Sequence, residues 1–172
     1  MTTAMPGDYT QQPQGAENLA VIRSVGRCFL LLLVSSGFWG IAWMYHTTKE
    51  VSSRVVSPPP SPGLRAFLSI IPIANYVMQY QAWSDIDQYC KRVRTEGIPV
   101  VVFLVLSILV SIANVITFPM IQSKLNDAHR AATNGQATTA KMQGIDWAMI
   151  AIGIAFWVVF WIIIIAAAGS SS

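Results

Sequence analysis

Charge is what this sequence has least of. Asp, Glu, Lys and Arg make up 11% of its 172 residues, against roughly 25% in an ordinary soluble domain. Four windows, residues 28–45, 66–84, 97–123 and 147–172, hold none at all. With 53% of the chain hydrophobic, this is the composition of a membrane protein. Cysteine is also scarce: Cys28 and Cys90 stand 62 residues apart, without Cys-x-x-Cys or Cys/His spacing, which argues against a disulfide framework or a metal site. His46 and His129 are the only histidines. No Ser/His/Asp or Cys/His order suggests itself, and no Gly-rich phosphate loop follows a strand. The expectation is a protein without catalytic residues, cofactor or nucleic-acid partner.

What is present is apolar length. A helix needs about 20 residues to cross the roughly 30 Å hydrocarbon core. "IPVVVFLVLSILVSIANVITFPM", from Ile98 to Met120, and "WAMIAIGIAFWVVFWIIIIAAAG", from Trp147 to Gly169, are long enough and are expected to span. The first window has only 18 residues and carries Gly37 and Gly40; the second is interrupted by Pro72, Asn75, Gln79 and Gln81. The expected fold is an all-α integral membrane protein. It has four hydrophobic helices, at about 28–45, 66–80, 98–120 and 147–169, the first two short and broken, with re-entrance as the alternative to spanning. Residues 1–22, rich in Pro, Gln, Gly and Thr, are expected to be a disordered tail, and 131–146 a loop.

Residues 81–96 set Trp83, Ile86, Cys90 and Val93 on one helical face. An amphipathic helix there would lie in the interface, with Lys91, Arg92 and Arg94 at anionic headgroups; packing on another loop is the alternative. Trp43, Tyr45, Tyr80 and Trp83 suit an interfacial belt. On the third window Ser107, Ser111 and Asn114 form one polar stripe, and Asn75 and Gln79 are the natural hydrogen-bond partners for Asn114. The alternative is that these groups line a small polar path or ligand pocket.

Laid on the first window at an offset of 37 residues, the second matches Leu31 with Leu68, Val34 with Ile71, Trp39 with Tyr76 and Trp43 with Tyr80. "LLLLVSSGFWGIAWMYHTTKE", with Gly37, Phe38, Trp39, Trp43, Tyr45, Lys49 and Glu50, resembles the bacterial membrane-protein family catalogued as domain of unknown function 4234. "LSIIPIANYVMQY" and the residues Gln122, Leu125 and Asn126 are similar to further positions of that family. The resemblance covers residues 23–130 and implies a membrane domain without an assigned activity. Phe38-Trp39 and Ala42 depart from its usual pattern, and the second copy lacks the glycine.

Lys and Arg gather on the cytoplasmic side of short loops. Four full spans would divide them five against six, whereas re-entry of the first two windows divides them eight against three. The functional expectation is an accessory or scaffold subunit, multi-pass in the cytoplasmic membrane with both termini cytoplasmic. It would contact the lipid bilayer and a membrane-protein partner or a second copy. An oligomeric pore or carrier, or an enzyme acting on lipid, are the alternatives.

Overall fold

The computed structural model describes residues 20–110 and 113–169. The expected tail is described only at its end, where β1 (Val21–Ile22) is ordered by parallel pairing with a two-residue strand near the C-terminal helix. Among the described residues the chain is mostly helical.

The first window turns back on itself. α1 (Val25–Val34) stops at residues 35–38, where Ser36 (φ 52°) and Gly37 (φ 86°) adopt left-handed backbone. Gly37 N–H donates to the Leu32 carbonyl and Ser36 N–H to that of Leu33, the paired bonds that close a glycine-terminated helix. The Trp39 N–H, first in α2 (Trp39–Thr47), donates to Ser35 Oγ at 2.8 Å. The turn therefore satisfies its own backbone. α2 widens into a π-helical stretch, Thr48–Ser52, and ends in α3 (Ser53–Val55). The outer ends of the two arms meet, Arg23 gripping Glu50 through both carboxylate oxygens at 2.6 and 2.5 Å.

The second window repeats the plan. α4 (Pro62–Leu68), capped by the Ser61 hydroxyl, leads through residues 69–71 into α5 (Pro72–Arg92). Pro72 opens α5 rather than breaking it, since a first-turn proline forfeits no helical hydrogen bond. Two expectations change here. The stretch 81–96 is no separate helix, because α5 runs unbroken to Arg92. Its apolar face is also not interfacial: Trp83, Ile86 and Cys90 share a core with Ile121, Leu125 and Ala128, a complementary apolar face that covers it.

The third window, expected as one spanning helix over 98–120, is two. α6 (Val100–Leu109) gives way at Val110 to extended backbone (φ −134°, ψ 93°), and α7 (Ala113–Ala132) starts afresh. The β-branched run around the break has low helix propensity. The outer ends of the fold-back meet where Glu96 pairs with Lys124, and the Ile98 N–H ties the start of this window to α5 through Asp87 at 2.9 Å.

After β2 (Thr138–Thr139), the partner of β1, comes α8 (Gly144–Gly169). It alone among the described helices is long and apolar enough to cross a membrane. It runs down the first hairpin until Gly153 meets the Ser35 backbone, leaving no room for a Cβ. Phe156 then touches Phe38, ring centroids 5.9 Å apart. From residue 154 to 169 every position is exposed.

Candidate functional site: a polar hub and a cavity between the turns

Four buried polar clusters join the outer ends of the hairpins. In the first, Asn126 on α7 accepts the Arg23 N–H at 3.1 Å and donates to the Arg23 carbonyl at 2.7 Å. Gln122, one turn earlier, donates to Asn126 at 3.0 Å and accepts the Trp43 indole N–H at 2.7 Å. Burial opposes charge on the Arg23 guanidinium, but Glu50 outweighs it and raises the pKa. In the second, Asp85 accepts from Arg65 and from the Ser52 hydroxyl, both at 2.6 Å.

Asp146, at the start of α8, centres the third. It accepts the Trp39 indole N–H at 2.8 Å and the Gln143 N–H at 2.8 Å, and lies 3.2 Å from His46 Nε2. In the fourth, the Tyr89 hydroxyl lies 3.0 Å from Arg54 and 3.3 Å from His129 Nδ1. Burial, followed by the Arg54 and Arg23 charges, holds the His129 pKa at about 3, so the ring is neutral.

Of the residues expected to act at headgroups, Lys91 is exposed and pairs with Asp87 at 2.6 Å. Arg92 instead holds the end of α3, donating to the Arg54 and Val55 carbonyls. Arg94, exposed at φ 60°, terminates the α5 helix. The aromatic belt is corrected in part: Trp43 and Trp83 are buried core residues, because Gln122 and the α7 face give Trp43 a polar partner and both rings an apolar one. Tyr80 is exposed and Tyr45 half-buried.

The polar stripe has a different outcome. Asn75, Gln79 and Asn114 converge on one cavity of about 300 Å³, which Gly37, Gly40 and Ser69 also line. No hydrogen bond among the described residues links the three carboxamides, and the buried Gln79 Oε1 has no partner there. Ser107 is buried on α6 outside this lining; Ser111 lies outside the described residues.

The pairing of the hub residues is what sequence reasoning missed. Their signal was available: Arg23 and Glu50 flank one charge-free window, and Arg65 and Asp85 flank the next. Comparison of the chain with protein-family models, with curated proteins and with solved structures finds no match.

Proposed function

We propose that the chain is an accessory subunit of the cytoplasmic membrane, without catalytic activity. It seats a rigid charged platform at one surface by dipping three hairpins into the adjacent leaflet and sending α8 across. The observation that carries this is the Arg23–Glu50 clasp: groups 2.5 Å apart cannot stand on opposite faces of a roughly 30 Å hydrocarbon layer. The ten-residue arms α1 and α6 reach about 15 Å at 1.5 Å per residue, half a bilayer. α8, with 26 residues, reaches about 39 Å. Backbone opened inside lipid must be satisfied by protein, and the turn at 35–38 meets that demand from within.

All eleven Lys and Arg lie in the outer ends of the hairpins or the loops between them. All would then share one face, as the positive-inside rule requires, with the exposed Lys91 and Arg94 turned towards anionic headgroups. The end of α8 then lies on the opposite side, revising the expectation that both termini are cytoplasmic. A pore or carrier through both leaflets would need several copies, since among the described residues one helix per chain is long enough to cross. Membership of the family catalogued as domain of unknown function 4234 is part of the proposal. Trp39, Trp43, Glu50, Gln122 and Asn126, which carry that resemblance, are also the residues that build the hub.

Thiol labelling of oriented vesicles tests the placement. Cysteines replacing Ser53, Lys91 and Gln136 should react from one face and one replacing Ala166 from the other. Labelling of Ser53→Cys and Lys91→Cys from opposite faces would overturn it. For the subunit role, cross-linking in intact membranes should yield a stoichiometric heteromeric adduct through the platform, which charge reversal at Lys91 and Arg94 weakens.

A further inference from the structure

We infer that the cavity between the three turns binds the head of an uncharged lipid, one bearing carbonyl or hydroxyl groups, which enters from the bilayer. Its volume of about 300 Å³ is roughly twice that of an engineered cavity that admits benzene and falls at the small end of ligand pockets. The lining supplies the carboxamides of Asn75, Gln79 and Asn114, the Ser69 hydroxyl and the Trp83 indole, with no ionisable residue among the described ones. Such groups can donate to carbonyls and accept from hydroxyls, whereas a charged head would be buried without a counter-ion, a prohibitive arrangement. The Gln79 Oε1 is a buried acceptor without a partner among the described residues, a deficit that native proteins rarely leave unfilled. A ligand hydroxyl would fill it.

Access follows from position. The lining draws on residues beside all three turns, and Ile70, Ile71 and Ile73 stand exposed next to it, so the surroundings of the cavity are apolar. Arrival from hydrocarbon rests on the one-leaflet placement proposed above. Gly40 provides the handle for a test, because a side chain built there meets only the Leu32 side chain, at 3.6 Å, and larger residues would grow into the space.

The experiment uses the full chain in phosphatidylethanolamine–phosphatidylglycerol vesicles containing a trace of diacylglycerol with a diazirine near its head. Illumination should place adducts on peptides spanning residues 37–44 and 75–83, and excess unlabelled diacylglycerol should compete them away. Gln79→Leu, similar in size, should reduce the yield about three- to tenfold, the loss of one neutral hydrogen bond; Gly40→Trp should abolish it. Adducts spread over α6 and α8, yields unchanged in both variants, or no adduct at all, as for a cavity holding only water, would each overturn the inference. Equal labelling by a diazirine phosphatidylglycerol would overturn the uncharged class. Protection of the buried Cys28 and Cys90 from thiol reagents reports folding, and Gln79→Leu decides if Gly40→Trp loses it. Should thiol topology place the loops on two faces while adducts still map to the cavity, the placement fails and the site stands. The reverse outcome removes the site alone.

Discussion

The Arg23–Glu50 pair stores its energy in mutual compensation. Each charge is buried, and removal of one partner from such a pair typically destabilises by about 3–5 kcal/mol, whereas replacing both with apolar residues is close to neutral. Arg23→Leu and Glu50→Leu should therefore each lower the unfolding free energy in detergent by that amount, and the double variant should recover most of it. Additive losses in the double variant would refute compensation. His129 gives a pH dependence of defined sign. Its folded pKa of about 3 lies below the ordinary value of about 6.5, so its contribution is complete above pH 6.5. As pH falls from there towards 3, the unfolded chain takes a proton that the folded chain refuses, and stability drops by about 1.4 kcal/mol per pH unit. Between pH 7.5 and 4.5 the melting temperature should fall progressively for the native chain and less for His129→Asn. Neither role was legible residue by residue. A charge at the edge of an apolar window looks solvated until the chain folds back and hides it, and the partner of Arg23 is 27 residues away.

At the scale of elements, hydropathy cannot distinguish one crossing from two half-length arms. A ten-residue arm, a turn and a returning arm together occupy as many residues as one span, so the first and third windows give the same profile either way. The four windows, the breaks in the first two and the convergence of Asn75, Gln79 and Asn114 could be read; the break near Val110 could not, since no Gly or Pro marks it. The internal repeat was visible in its chemistry but displaced in register. α1 and α4 end at Val34 and Leu68, 34 residues apart rather than 37, because the matching followed aromatics instead of turns. α8 depends on one residue for its seat. Gly153→Leu forces a side chain into the Ser35 backbone, and overpacking of this kind costs about 1–3 kcal/mol. Ile154→Leu, one position along at an exposed site, should stay within about 0.5 kcal/mol. Thermal denaturation of the two variants side by side checks this, and equal melting temperatures would detach α8 from the first hairpin.

For the whole molecule, large apolar side chains stand exposed along α6, the second turn and the far half of α8, more than a monomer leaves open to water. Washing membranes with alkaline carbonate or molar salt should leave the chain in the pellet, and release into the supernatant would contradict membrane integration. The bond between Arg23 and Asn126 joins residues 103 positions apart, and that separation sets a schedule. At synthesis rates of about 5–20 residues per second, the first arm emerges some 5–20 seconds before the amide that grips its base exists. For that interval the first hairpin is held by contacts within its own stretch, the Glu50 clasp among them, and a translocon or chaperone can engage its base until α7 has emerged from the ribosome.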